Sequence, residues 1–257
     1  MDADLDTLAT TLYVRIGDLL IAHPEMLTVY RPGSKRLQMS DAELITLAVM
    51  GQVFQLGSER RVVRYAHRHW AGYFPHVPQQ SGYNKRLRRL AGLMLWVQRR
   101  LAEDTDQWHD DVWLADSTPV EAGRSRETVH RSDLAGFAQY GYCASQSRWF
   151  WGFRLHLLCT PGGLSVGFAL TGVKADERDV LLAVVDGQLA RPGQTIMADK
   201  GYTSGPFDTA LAGAGVPVIR PARKDEAPRP GAASSSHCAR SSNRSTRPSR
   251  ANSCWNA

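Results

Sequence analysis

The spacing of apolar residues changes once along the chain, near residue 105, and this change constrains the fold more than any other feature. In the first part, apolar residues recur at intervals of three and four, as at Leu5, Leu8 and Leu12, which is the pattern of an amphipathic helix. From about residue 110, short apolar or alternating runs bounded by Pro and Gly, such as VWLAD and LSVGFALTG, are typical of strands. The sequence therefore predicts a helical region over residues 1–105, followed by a region built on a sheet.

The helical region contains basic helix patterns. Ser40 and Glu43 have the spacing of a capping box and predict that a helix begins there. Further on, ERRVVRYAHRHW and NKRLRRLAGLMLWVQRRLAED combine the helical period with basic faces. The basic residues of these stretches are Arg60, Arg61, Arg64, Arg68, Lys85, Arg86, Arg88 and Arg89. Two interpretations stay open: a helix-turn-helix-like module that contacts DNA phosphates, or solvated helix faces.

The second region shows five strand patterns and two helix patterns. The strands are predicted within VWLAD, FWGFRLHLLCT, LSVGFALTG, TIMAD and VPVIRP, and the helices within KADERDVLLAVVDGQL and GPFDTALAGAG. The order is β-β-β-α-β-α-β, with Asp116 at the end of the first strand and Asp199 at the end of the fourth, as in a ribonuclease-H-like sheet. We therefore predict an α+β or α/β fold, with a helical N-terminal region before a ribonuclease-H-like mixed sheet flanked by helices, over residues 106–226.

The two aspartates suggest a metal site. Carboxylates brought together from adjacent strands repel one another unless a cation lies between them, and oxygen ligands suit Mg²⁺, or Mn²⁺ in its place. Metal ions held in this way activate a water or a 3′ hydroxyl for phosphoryl transfer on nucleic acid. Taken alone, each aspartate is as well explained by a turn or a helix cap, so the prediction that Asp116 and Asp199 bind metal and catalyse depends on the pair.

Charge and hydropathy narrow the class of protein. The 257-residue chain has a formal net charge of +6, which favours a polyanionic partner such as DNA. The N-terminus MDADLDTLA is acidic where a signal peptide is basic, and no apolar run approaches the roughly 18 residues of a membrane span. We therefore expect a cytoplasmic protein that does not contact a membrane.

Four motifs resemble one family in the order that this family shows. The motifs are LADSTPV, YGYCASQSRWFWGFRLHLL, LTGVKADERDV and ADKGYTS. They look like those of the insertion sequence 982 family of DDE transposases, and the resemblance covers about residues 1–230. The resemblance implies a bacterial mobile-element transposase that acts on double-stranded DNA at terminal inverted repeats. A homodimer is one option for its oligomeric state, which the sequence leaves open. It also implies that Asp116 and Asp199 are the first two catalytic acids, and that a glutamate on a later helix is the third.

The last 31 residues depart from that pattern. No acidic residue follows Glu226, and the tail over 227–257 is rich in Ser and Arg with almost nothing apolar, so we expect it to be disordered. A basic tail that contacts DNA is one interpretation, and a frameshift is the other. Read from the third base of each codon, Cys254–Trp255 must give leucine and Trp255–Asn256 must give glutamate. We therefore favour a frameshifted, truncated transposase, whose missing glutamate lies across Ser242 and Asn243 in the other frame.

Several residues near the predicted site carry two interpretations each. Lys200 follows Asp199, and Arg124 and Arg126 lie in the loop beyond Asp116; these three are predicted to contact DNA, with a solvated role as the alternative. His156 is expected to be hydrogen-bonded in the core, and Asp176 to cap a helix rather than bind metal. The aromatic residues Tyr140, Tyr142, Trp149, Phe150 and Trp151 are assigned to core and hairpin packing rather than to stacking on bases.

Overall fold

Helices form the first of two structural units, and a sheet with helices forms the second. The computed structural model describes residues 4–26, 38–123, 126–143, 147–186 and 191–222. The units are Met1–Leu101 and Ala102–Ala257. The helices of the first unit are α1 (Leu5–Ala22), α2 (Asp41–Val53), α3 (Glu59–His69), α4 (Gln80–Arg89) and α5 (Ala91–Glu103), the last of which continues just past the boundary.

Helix α2 lies in the core of the first unit. Leu44 and Leu47 are fully buried, together with Ala66 of α3. The capping box predicted at its start is confirmed: the Ser40 hydroxyl accepts a hydrogen bond from the Glu43 N–H at 3.2 Å, and the Ser40 N–H donates to Glu43 Oε2 at 2.6 Å. This box satisfies two N–H groups that would otherwise lack partners, so the helix begins where the local sequence predicts it.

Helices α2 and α3 pack closely at a glycine. A Cβ atom placed on Gly51 would lie 2.6 Å from Val62 Cγ2, far inside van der Waals contact. The two helices are joined by residues 54–58, and Ser58 caps α3 by accepting a hydrogen bond from the Arg61 N–H at 3.3 Å. A short connection between two closely packed helices is consistent with a helix-turn-helix-like arrangement.

The second unit contains six strands and three helices within its described residues. They are β1 (Val112–Gly123), α6 (Arg126–Arg131), β2 (Gln139–Cys143), β3 (Arg148–Cys159), β4 (Ser165–Gly172), α7 (Glu177–Asp186), β5 (Thr195–Ala198), α8 (Gly205–Gly213) and β6 (Val218–Ile219). Two of these elements, α6 and β2, do not occur in the predicted order of elements. Both lie between the first two predicted strands, so the remaining order agrees with the prediction.

The sheet is mixed, and its strand order confirms the predicted fold class. Strand β3 pairs antiparallel with β1, β2 and β4, whereas β5 pairs parallel with β1, and β6 with β5. Along the path β4-β3-β1-β5-β6, the first three strands pair antiparallel, and β5 and β6 join in parallel. This is the ribonuclease-H-like arrangement. Strand β2 extends it by pairing with the first half of β3.

The two faces of the sheet differ in burial. On one face, Trp113, Leu158 and Ile196 are buried in a cluster that includes Leu181 of α7 and Phe207 of α8. Successive side chains in a strand point to opposite faces, so the residues between these belong to the other face. The catalytic candidate Asp116 follows Ala115 of the buried face within β1 and therefore lies on the opposite face, and Asp199 directly follows Ala198 at the end of β5.

Candidate active site

Asp116 of β1 and Asp199, which directly follows β5, lie at the same level of two neighbouring parallel strands. The last register pair between β1 and β5 is Ala115 with Ala198, and each aspartate is the next residue along the chain. Adjacent strands are about 5 Å apart, so the two backbones approach to about that distance at this level. The structure thus brings together the two residues that the sequence places 83 positions apart (199 − 116).

The prediction that the first strand ends at Asp116 is wrong. Strand β1 continues to Gly123, and its pairing with β3 runs through Thr118 opposite Leu155 and Val120 opposite Phe153. The apparent turn signal contains Pro119, which lacks an N–H group, but β5 has ended by this point. A proline is tolerated where one side of a strand has no partner. Asp116 therefore lies where β5 stops, within a strand that continues beyond it.

Each carboxylate is oriented by the next backbone N–H group. Ser117 N–H donates to Asp116 Oδ1 at 2.7 Å, and Lys200 N–H donates to Asp199 Oδ1 at 2.6 Å. Asp116 is exposed to solvent, but partial desolvation by neighbouring atoms raises its pKa; the Ser117 N–H opposes this shift, and the negative charge of Asp199 raises the pKa further. The site therefore disfavours the ionised form of Asp116, and a bound cation would offset that effect.

Burial and the charges of both Asp116 and Asp199 raise the pKa of a neighbouring side chain, Tyr202. It is buried, and its backbone N–H donates to the Asp199 carbonyl at 3.0 Å. Burial, followed by the charge of Asp116, raises the pKa of Tyr202 to about 12, against opposing effects of Ser117 and Arg154. The phenol is therefore neutral at physiological pH, and it lines a small hollow that also contains Asp116.

A carboxylate that sequence reasoning missed lies behind β1. Glu177, the first residue of α7, accepts a hydrogen bond from the Ser117 hydroxyl at 2.9 Å and forms an ion pair with Arg154. Ser117 alternates with Asp116, so this cluster is on the opposite face of the sheet from the aspartate pair. Glu177 therefore ties α7 to the strand that carries Asp116. Only the register of β1 and β3, which a single sequence does not give, places these groups together.

The loop after Asp199 is anchored by two arginines. Arg178 of α7 donates to the Thr203 carbonyl at 3.0 Å, and Arg220 donates to the Thr203 hydroxyl at 2.8 Å. Arg178 also binds Asp176, whose pKa is lowered to about 2 by these hydrogen bonds. Asp176 accepts the Arg178 N–H at 2.9 Å, which confirms its predicted capping role.

A third acidic ligand is not present among the described residues. Within residues 4–26, 38–123, 126–143, 147–186 and 191–222, no three His, Cys, Asp or Glu side chains are grouped so that they could hold a metal ion. Asp225, Glu226 and the predicted disordered tail lie outside those residues.

Most residues predicted to contact DNA are exposed. On α3 these are Arg60, Arg61, Arg64 and Arg68, on α4 Lys85, Arg88 and Arg89, and beside Asp199 Lys200. Arg86 differs, because its guanidinium is nearly buried and binds Asp41 at 2.7 Å and the Met39 carbonyl at 2.8 Å. Its predicted DNA contact is therefore replaced by a structural role. Arg124 and the side chain of Arg126 lie outside the described part of the chain.

The predictions for His156 and the aromatic residues are confirmed only in part. His156 is buried and its Nε2 lies 2.9 Å from the Thr171 hydroxyl, as expected for a core histidine, and burial lowers its pKa. Phe150 and Trp151 are buried as predicted. Tyr142 and Trp149 are exposed but their rings pack on each other across β2 and β3, as predicted for hairpin packing, and Tyr140 is exposed.

The sequence also matches a known family over this unit. The family model of the transposase DDE domain matches residues 107–254, more than half of the chain, and the chain belongs to that family. No curated protein gives a significant match. In the described part of the chain, no helix has both the length and the apolar character needed to span a membrane.

Two solved structures align with the chain. The piggyBac transposase synaptic complex with hairpin DNA is 9% identical, with a TM-score of 0.37, over 88% of this chain and 43% of that one. The simian T-cell lymphotropic virus intasome in complex with PP2A regulatory subunit B56 gamma is 13% identical, with a TM-score of 0.27, over 72% of this chain and 57% of that one. The chain thus spans about half the length of these two proteins.

Proposed function

We propose that the chain is an insertion sequence transposase of the 982 type, in which Asp116 and Asp199 bind a divalent cation at a DNA phosphate. The observation that supports this proposal is the register of β1 and β5, whose last pair is Ala115 with Ala198, in a chain of the transposase DDE domain family. The raised pKa of Asp116 supports it, because the charge of Asp199 contributes to that shift and a cation would offset it.

Mg²⁺ or Mn²⁺ is the proposed cofactor. When bound, such an ion would polarise a phosphoryl oxygen and favour attack by water or a 3′ hydroxyl. Asp116 and Asp199 would supply its carboxylate oxygens, held in place by the N–H groups of Ser117 and Lys200. The exposed Lys200 side chain follows Asp199 directly and is proposed to contact a phosphate of the bound strand.

The helical unit is proposed to bind double-stranded DNA at the terminal inverted repeats. Helix α3 supports this role, because its exposed side carries Arg60, Arg61, Arg64 and Arg68 and it is packed on α2 in a helix-turn-helix-like arrangement. Basic side chains on one helix face can contact DNA phosphates, and these contacts release condensed counterions, which favours binding. The source is proposed to be a bacterial mobile element, with the protein acting in the cytoplasm.

Catalysis by this chain is proposed to be impaired. No acidic residue follows Glu226, and no third acid joins the pair within the described residues. Two carboxylates suffice for one cation, but a two-ion arrangement needs further oxygen ligands. We attribute the loss to a frameshift that moved a glutamate codon out of frame across Ser242 and Asn243. The second candidate function is a non-catalytic DNA-binding remnant that occupies transposon ends.

The test is strand transfer on DNA that carries the ends of the element, in the presence of Mg²⁺. The chain of 257 residues is compared with a version in which the reading frame after codon 226 is restored. We expect DNA binding from both, and strand transfer at least a hundredfold faster from the restored chain, because essential catalytic groups act as a unit. Equal activity of the two would overturn the proposed impairment.

Two variants of the restored chain test the aspartates themselves. Asp116→Asn and Asp199→Asn should each abolish strand transfer while leaving DNA affinity unchanged. The matched control is Asp133→Asn, an exposed aspartate between α6 and β2, which should retain full activity. Retained activity in either of the first two variants would remove that residue from the proposed site.

A further inference from the structure

Three exposed aromatic side chains form one surface on the ribbon of β2 and β3. Tyr140, Tyr142 and Trp149 are 45%, 47% and 73% exposed. Tyr142 lies directly opposite Trp149 in the register, and their ring centroids are 5.5 Å apart at an angle of 56°. Tyr140 is two residues from Tyr142, so the three rings share one face of the ribbon. We call these three residues the aromatic surface.

The backbone beneath the aromatic surface is closely packed. A Cβ atom on Gly141 would lie 2.0 Å from Val173 Cγ1, and one on Gly152 would lie 2.1 Å from the Val120 carbonyl oxygen. The ribbon is therefore pressed against β1 and against the end of β4 at two points where only glycine fits. Arg148 adds an ion pair with Glu121 of β1 at 3.2 Å. The rings are thus presented by a fixed part of the sheet rather than by a loop.

The aromatic surface faces the same side of the sheet as the aspartate pair. Asp116 lies opposite Leu157 of β3, and Trp149 lies eight residues before Leu157 on the same strand. Residues an even number of positions apart in a strand point to the same face, and β3 has no bulge between Trp149 and Leu157. Trp149 and Leu157 therefore lie on one face, and Asp116, which is opposite Leu157, lies on it too. The distance along the strand is about 26 Å at 3.3 Å per residue.

We infer that the aromatic surface stacks on unpaired nucleobases of the DNA whose phosphate lies at Asp116 and Asp199. This inference rests on the proposed function. Flat exposed rings bind bases by stacking without a requirement for sequence, and Tyr and Trp are the residues that do so in single-strand binding proteins. A distance of about 26 Å corresponds to about eight nucleotides of one strand.

The residues that flank the rings include one exposed cation, Lys174. Gln139 and Arg148 also flank the rings, and Arg148 is ion-paired with Glu121. Exposed apolar side chains, Phe168 and Leu170 of β4, lie on the same face of the sheet. Lys174 is exposed, and its backbone N–H is held by the Gln139 side chain at 3.1 Å. A strand that stacks its bases on the rings would meet the positive charge of Lys174 at one end of the surface.

The test compares two DNA probes by fluorescence anisotropy, in buffer with a chelator so that no cleavage occurs. One probe is a blunt duplex, and the other is the same duplex with about eight unpaired thymidines at one 3′ end. The wild-type chain should bind the tailed duplex at least tenfold more tightly than the blunt one. The double variant Tyr142→Ala with Trp149→Ala should lose that preference and keep its affinity for the blunt duplex.

Two further variants separate stacking from a general effect on the sheet. Tyr142→Phe with Trp149→Phe keeps flat rings and should keep most of the preference. Phe168→Ala with Leu170→Ala removes exposed apolar side chains from β4 on the same face, opposite Leu157 and Leu155, and should keep all of it. Thermal unfolding of each variant shows that the fold is retained.

The outcomes distinguish this inference from the proposed function. If the blunt duplex binds and the tail adds no affinity, the aromatic surface is not a base-binding site while the proposed function stands. If neither probe binds, the proposed DNA-binding function itself fails. If Tyr142→Ala with Trp149→Ala converts a dimer to a monomer in sedimentation, the surface is an interface between copies of the chain and the inference is overturned.

Discussion

Asp116 illustrates how a single residue is held in a state that the fold alone does not favour. Partial desolvation and the nearby charge of Asp199 raise the pKa of Asp116, so the ionised carboxylate destabilises the folded chain. In the pH interval between the unfolded and the raised folded pKa, the folded state binds more protons than the unfolded state. The free energy of unfolding therefore falls as pH rises through that interval, and the destabilisation is complete above it.

Replacing this carboxylate should stabilise the metal-free protein. We expect Asp116→Asn to raise the denaturant midpoint at pH 7, because the charge is lost while the amide oxygen still accepts the Ser117 N–H. The gain should shrink as pH is lowered through the raised folded pKa and should vanish below about 3.9, the pKa of an unperturbed Asp, where the wild-type carboxyl becomes protonated in both states. Chemical denaturation across this pH range measures the effect. An Asn variant less stable than wild type at pH 7 would contradict it.

The same residue should couple stability to divalent cations. Mg²⁺ at about 100 times its dissociation constant should stabilise the wild-type chain by about 2.7 kcal/mol, since the proposed ion would bind only the folded chain. Asp116→Asn and Asp199→Asn should each lose this response, and Asp133→Asn should retain it. Thermal unfolding with and without Mg²⁺ provides the measurement. A response of equal size in all four proteins would show that the ion binds elsewhere.

At the scale of elements, the contact between α2 and α3 depends on the missing side chain of Gly51. We expect Gly51→Ala to lower the free energy of unfolding of the helical unit by about 1 kcal/mol. The clash with Val62 costs about 1–3 kcal/mol, which exceeds the gain of about 1 kcal/mol for alanine in a helix. Denaturation followed by far-ultraviolet circular dichroism measures the change.

A second glycine provides the matched control for this prediction. Gly17 lies within α1, and a Cβ atom placed on it would meet no atom within 4 Å. Gly17→Ala should therefore stabilise the unit by roughly 0.5–1 kcal/mol, from helix propensity alone. Opposite signs for the two substitutions would support the close packing of α2 on α3, and two stabilising substitutions would argue against it.

The elements that the sequence predicted correctly are those that local signals determine. The start of α2 follows from Ser40 and Glu43, which interact within one turn. The end of β1 could not be predicted, because Pro119 is a turn signal in isolation and is tolerated in this strand only through the arrangement of β3 and β5. Strand β2 was missed for a similar reason: Gly141 disfavours a strand locally, and its contact with Val173 depends on a distant segment.

The same difference between local signals and long-range contacts decides which residues of the candidate site could be predicted. Asp116 and Asp199 could be identified because each follows an apolar run and each lies in a motif. Glu177 and the anchoring of Thr203 by Arg178 and Arg220 could not, because these contacts join segments far apart in sequence. Whether Trp149 is buried or exposed could not be predicted, since an aromatic residue in a strand is equally compatible with a core position and with an exposed surface.

For the whole molecule, the basic helix α3 predicts how DNA affinity depends on salt. Changing Arg60, Arg61 and Arg64 to Ala should reduce the slope of log affinity against log salt by up to about 3, since each lost phosphate contact removes about 0.9. The same three positions changed to Lys keep the charge and should keep the slope. Titrations of duplex DNA at several salt concentrations measure it. An unchanged slope in the Ala variant would assign these arginines to a solvated face.

The parallel pairing of β1 with β5 also sets the order in which a growing chain acquires its parts. The core of the helical unit is complete once residue 101 has been synthesised, whereas Asp116 has no partner until Asp199 has left the ribosome and β5 has docked. Domains commonly fold from the N-terminus during synthesis. An unfinished or prematurely released chain would then possess its proposed DNA-binding helices without paired carboxylates. If the proposed function holds, such products would bind the same DNA as the complete chain without the paired carboxylates.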